Sequence, residues 1–165
     1  MVSVTLTQGQ TSGIKKIKNW YGNQNEQIFK LAGYAGTGKS FMTQQAIDEL
    51  RLRKSEVAFC AFTGKASLVL MRYIEEGYHA STIHRLIYEV VEDGSDIIFE
   101  LKSKLMGIKL IVVDEASMVS KEILADLMSF GISILAIGDH GQLEAIGEQA
   151  DLMKEPDHVL DEIMR

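Results

Sequence analysis

Gly33-Tyr34-Ala35-Gly36-Thr37-Gly38-Lys39-Ser40 is the stretch on which the fold turns. It satisfies G-x-x-x-x-G-K-S/T at every fixed position. A short apolar segment at 27–32 precedes it and suits a strand. Residues 39–53 follow, with Met42, Ala46, Ile47 and Leu50 at helical spacing. A glycine-rich turn between strand and helix is the setting in which this pattern holds phosphate. Gly36 and Gly38 let the backbone curl so that N–H groups converge on an anion, and the helix that follows adds its positive end. Lys39 supplies a charge for β- and γ-phosphates, and Ser40 a hydroxyl for Mg²⁺. Gly33 and Thr37 complete the loop. The implied ligand is ATP or ADP with Mg²⁺.

Outward from this loop, the chain alternates strands and helices. Residues 8–21 suit a helix with Ile14, Ile17 and Tyr21 on one face. Lys15, Lys16 and Lys18 lie mostly off that face and read as a solvated surface. Residues 56–62 form a nearly continuous apolar strand, and 65–75 and 81–87 look helical. An apolar strand at 110–113 ends on Asp114, a helix spans 120–130, and a strand spans 132–137. Continuous apolar strands imply burial on both faces, and their alternation with helices implies a mainly parallel sheet. The expected fold is α/β, with ligands beyond the carboxyl ends of the strands.

Two further groups follow strand ends. Asp114 is placed to hold Mg²⁺, and Glu115 to orient and deprotonate an attacking water. Gly138-Asp139-His140-Gly141-Gln142 offers a polar Gln142 that can report the γ-phosphate.

The 165 residues fit one domain, and a 46% hydrophobic content is enough for a core. No run of about 20 apolar residues occurs, and the polar N-terminus lacks a signal-peptide core, so a cytoplasmic, membrane-free protein is expected. Cys60 is the single cysteine and reads as a small buried strand residue. A net charge of −6 argues against a general nucleic-acid coat protein but allows a local basic strip. Four His and one Cys without ligand spacing give no zinc site.

Together, the ordered motifs resemble the superfamily 1 DNA helicases of the RecD and Dda type, over essentially the whole chain. Leu6-Thr7-Gln8-Gly9-Gln10 resembles the Q motif, which makes Gln10 the adenine reader. Thr63-Gly64-Lys65-Ala66 resembles the motif that grips single-stranded DNA, and Ser81-Thr82-Ile83-His84 the family's second DNA contact. Asp114-Glu115-Ala116-Ser117-Met118 is similar to Walker B, and the segment from Gly138 to Gln142 to motif III. The end of the chain resembles the start of motif IV, with Arg165 as the γ-phosphate arginine. The resemblance implies a RecA-like P-loop NTPase fold and ATP-driven movement on single-stranded DNA, 5′ to 3′. It also implies that 1–165 is the N-terminal motor domain, with a second RecA-like domain absent from this sequence and needed to complete the ATP site.

Some residues keep two readings. Thr63 also suits a helix cap, and His84 a packed core position. Phe62 suits either base stacking or burial. Residues 88–104 carry β-type runs around Asp93-Gly94, a hairpin signal. Dda-like helicases place a strand-separating pin there, so Phe99 is expected to meet the duplex fork; otherwise it anchors a surface hairpin. Other functions to weigh are an AAA+ or packaging ATPase and a nucleotide-dependent adaptor. The Thr63–Ala66 and Thr82–His84 motifs argue against the first, and intact Lys39, Ser40, Asp114 and Glu115 against the second. No Arg cluster follows mid-chain to suggest a small-molecule kinase.

Overall fold

The computed structural model describes residues 5–140 and 150–163. Six parallel strands form one sheet in the order β3-β2-β6-β7-β1-β8. They are β1 (Ile28–Gly33), β2 (Val57–Ala61), β3 (His79–Thr82), β6 (Leu110–Asp114), β7 (Ser133–Asp139) and β8 (His158–Leu160). A separate antiparallel hairpin joins β4 (Tyr88–Asp93) to β5 (Asp96–Leu101). The helices are α1 (Gln8–Asn23), α2 (Lys39–Leu50), α3 (Gly64–Tyr73), α4 (Ile83–Ile87) and α5 (Lys121–Ser129). The expected α/β class, parallel sheet and hairpin are all present.

The strands are apolar throughout because both sheet faces are covered. Side chains of β2 and β6 alternate between two cores. Val57, Phe59, Leu110 and Val112 join Ile14, Ile17, Met42 and Ile47 from α1 and α2. Ala58, Cys60, Ile111 and Val113 join Ile83 and Ile87 from α4 and Ile123 and Leu127 from α5. Cys60 is buried as expected, and its thiol donates to Val112 O at 3.6 Å.

α1 starts with a capping box. Thr7 Oγ1 accepts from Gln10 N at 3.2 Å, and Gln10 Oε1 accepts from Thr7 N at 3.0 Å. The helix passes α2 so closely that a Cβ on Gly13 would lie 2.7 Å from Met42 Sδ and 2.8 Å from His158 Cδ2. The lysine face of α1 is more than a solvated surface. Lys18 pairs with Glu49 of α2 at 2.6 Å, and Lys16 Nζ donates to Asp157 O at 3.2 Å.

Two strands correct the reading of the sequence. Residues 79–82 form an edge strand beside β2, so the expected helix over 81–87 begins only at Ile83. His79-Ala80-Ser81-Thr82 has no apolar run to mark it, and Thr82 turns the chain from strand to helix by capping Arg85 N at 3.2 Å. β8 is three residues long, and its parallel pairing with β1 defines it. The described part of α2 is also shorter than the expected 39–53, because Arg51 turns left-handed at φ 55°.

Candidate nucleotide and nucleic-acid site

Sheet order decides which motif residues meet. Ala61 of β2 lies in register with Thr82 of β3 on one side and Asp114 of β6 on the other, and Gly33 of β1 with Asp139 of β7. All five residues stand at strand carboxyl ends. The residues expected to hold nucleotide therefore gather over β6, β7 and β1. Those expected to hold DNA follow β2 and β3. At about 4.8 Å per strand, the two groups share one rim within some 20 Å.

The loop has the geometry of a phosphate cradle. Gly36 and Gly38 sit at φ 79° and 75°, where only glycine is comfortable. Gly33 has no room for a side chain: a Cβ there would meet Thr37 Oγ1 at 2.8 Å and Leu160 Cβ at 3.0 Å. Thr37 is buried, and its hydroxyl donates to Tyr34 O at 2.8 Å, which braces the turn. Tyr34 N donates to Leu160 O at 3.3 Å, so the missed strand β8 supports the loop's entry. Ser40 stands exposed on the first turn of α2.

Lys39 Nζ donates to Gly33 O at 2.9 Å, to Tyr34 O at 3.0 Å and to Asp139 Oδ1 at 2.7 Å. Gln10 is fully buried behind the loop, and its Nε2 donates to Thr37 O at 3.2 Å. The structure thus joins Gln10 to the loop backbone, a contact that the motif reading did not foresee.

Asp114 is largely buried, and burial pushes its carboxyl above the ordinary range. Glu115 N–H and the Lys39 charge oppose that shift, and Asp139 adds to it. Glu115 N donates to Asp114 Oδ1 at 3.0 Å. Glu115 itself is exposed and left-handed, at φ 52° and ψ 42°. A non-glycine residue held there stores about 1–3 kcal/mol, and such positions cluster at functional sites. Its carboxyl is also pushed up, first by partial burial and then by Asp114 and Asp139. A carboxylate of raised basicity beside a metal-ligand type fits a general base.

Thr63 caps α3 by accepting from Ala66 N at 3.1 Å, and Lys65 is exposed on the first turn. Capping and phosphate contact are compatible, since the cap leaves neighbouring N–H groups pointing outward. His84 is exposed, which removes the core-histidine alternative; its ring lies 5.4 Å from that of Tyr88. Phe62 is partly buried against the second core, in line with the burial alternative. Phe99 is 68% exposed on the hairpin, so it does not anchor that hairpin to the core. Gln142 and Arg165 lie outside the described residues.

Asp139, Tyr34 and His140 were not singled out as site residues. The Tyr34 and His140 rings meet edge-on at 5.4 Å, and His140 N donates to Gly33 O at 3.1 Å. Asp139 belongs to the segment in which Gln142 is the expected γ-phosphate contact. Only the parallel register of β1 and β7 places it against Lys39.

Over residues 5–165 the chain matches the family described as AAA domain. The chain belongs to this family. An uncharacterized protein of Acanthamoeba polyphaga mimivirus is 34% identical over 179 residues, which span 87% of this chain and 36% of that protein. The ATP-dependent RecD2 DNA helicase of Deinococcus radiodurans is 33% identical over 123 residues, 73% of this chain and 16% of the relative. A crystal structure of Bacteroides sp Pif1 in complex with ADP-AlF4 shares the fold, with a TM-score of 0.62 at 20% identity, covering 98% of this chain and 43% of that one. The chain thus spans less than half the length of each relative. The resemblance to helicases of the RecD type is borne out, and the Pif1 structure shares the fold. Membership implies nucleotide binding. Among the described residues, no helix is long and apolar enough to cross a membrane.

Proposed function

We propose that this chain is the ATP-binding motor domain of a DNA helicase that moves on single-stranded DNA, 5′ to 3′. The observation that carries the reading is the single rim of strand ends, with the P-loop at one end and the Thr63 and Thr82 helix caps at the other.

The residues present fit a magnesium nucleotide: a glycine turn at positive φ with no room for a side chain at Gly33, an ammonium, a hydroxyl and a partly buried carboxylate. Backbone N–H groups of 36–40 and Lys39 would hold the phosphates, and Ser40 and Asp114 the Mg²⁺; Gln10, expected to read adenine, is instead fully buried with both amide atoms bonded inside the protein, so it braces the loop. Bound Mg²⁺ would supply charge stabilisation to the transferring phosphoryl group. Glu115 receives the proton of the attacking water. Gln142 reports the γ-phosphate, and a second RecA-like domain supplies an arginine across the nucleotide, alongside Arg165. Lys65, Thr63 and His84 contact the DNA backbone, and Phe99 meets the duplex fork. The relatives' names, as DNA helicases of the RecD2 and Pif1 types, support this reading over a ring ATPase or an adaptor.

Steady-state ATP hydrolysis, with and without single-stranded DNA, tests it. Glu115→Gln should lower hydrolysis by about 10²-fold or more while leaving ADP affinity nearly unchanged, since removal of a general base acts on the chemical step. Unchanged turnover in that variant would remove Glu115 from the role.

A further inference from the structure

Lys39 is fully engaged by protein atoms. Its ammonium has three donors, and the three acceptors around it are Gly33 O, Tyr34 O and Asp139 Oδ1. The side chain is only 14% exposed and that of Asp139 34%. The pair is thus better sheltered from solvent than a surface ion pair. Two of the acceptors belong to the loop itself. The third stands on β7, the strand whose sequence runs on to His140 and Gln142. A phosphate that recruits Lys39 must displace one of these three acceptors, and of the three Asp139 alone carries a charge to compete with it.

We propose that Asp139 is a positioning residue that parks Lys39 at the base of the loop, so that nucleotide binding is a hand-off of the ammonium from carboxylate to phosphate. This rests on the P-loop reading above and deepens it. The hand-off sets nucleotide affinity below what the cradle alone would give, because each binding event breaks the Lys39–Asp139 pair. It also links occupancy of the loop to the end of β7. Asp139 is one of three carboxylates in this corner, with Asp114 and Glu115, close enough to act on one another. Simple repulsion by Asp139 is therefore the competing explanation of any affinity change, and the test has to separate the two.

A double-mutant cycle does so. ADP affinity is measured by titration of a fluorescent ADP analogue with the wild-type chain, Asp139→Asn, Lys39→Met and the double variant, each checked for folding by its thermal transition. Asp139→Ala serves as a second substitution where Asp139→Asn does not fold. Loss of Asp139 should tighten ADP about five- to tenfold when Lys39 is present, and change it little in the Lys39→Met background, the coupling expected of side chains in direct contact. Equal tightening in both backgrounds means repulsion alone and overturns the hand-off, as does unchanged or weaker binding in Asp139→Asn. A wild-type chain that binds no ADP at millimolar concentration overturns the P-loop reading itself, and the hand-off with it.

Discussion

Glu56 accepts Arg53 NH2 at 2.9 Å, Arg53 N at 2.8 Å and Lys109 Nζ at 2.8 Å, while its own carbonyl accepts Lys109 N at 2.7 Å. Its side chain is 8% exposed. The Arg53 hydrogen bond first, then that of Lys109, lowers its pKa from an ordinary 4.5 to about 2. The stabilisation this carboxylate gives is full above the unfolded value and is lost as the pH falls through the folded one. Glu56→Gln should therefore be less stable than wild type at neutral pH, and the gap should close between about pH 4.5 and pH 2. Denaturant unfolding across that range checks it; a gap independent of pH would contradict it. Lys39, Ser40 and Asp114 could be found from the sequence because their chemistry is carried by local spacing. Three features could not. Asp139 meets Lys39 across 100 residues, Gln10 meets the loop through a buried side chain, and Glu115 owes its exposure to a left-handed backbone.

The hairpin of β4 and β5 is an element with two unlike faces. Register pairs Tyr88 with Leu101, Val90 with Phe99 and Glu92 with Ile97, so one face is largely apolar. Glu89 pairs with Glu100, and Asp93 with Asp96, so the other face is acidic apart from Val91 and Ile98. Gly94 makes the two-residue turn possible at φ 67°. Its base is fixed: Lys102 Nζ donates to Leu86 O at 2.8 Å and Arg85 O at 3.1 Å, and the Tyr88 hydroxyl donates to Asp126 of α5. Burial and that carboxylate push the Tyr88 phenol up to about 12, so it remains a donor at any working pH. A fixed base and an exposed Phe99 suit a wedge. Acidic residues opposite one another would repel a phosphate backbone, which leaves the apolar face for unstacked bases. In a two-domain helicase carrying this domain, Phe99→Ala should reduce unwinding several-fold and ATP hydrolysis far less. Equal loss of both in paired assays would remove the pin role. Turn chemistry made this hairpin readable in advance. Strands β3 and β8 were not, because a short edge strand without an apolar run is defined by its neighbour rather than by its own residues.

At the scale of the molecule, composition and periodicity set the class, while strand order did not follow from either. The order β3-β2-β6-β7-β1-β8 is a product of tertiary packing, and it alone turns scattered motifs into a row. The residues proposed to hold nucleotide lie over β1, β7 and β6, and those proposed to hold nucleic acid follow β2 and β3, so both groups stand on one row of strand ends. The most direct test is amide chemical-shift mapping of the ¹⁵N-labelled chain with Mg·ADP and then with a single-stranded oligonucleotide. The account predicts two separate footprints on one rim: ADP at 33–40, 114–115 and 139, and DNA at 63–66, 82–85 and around Phe99. Coincident footprints, or a DNA footprint at the opposite ends of the strands, would contradict it.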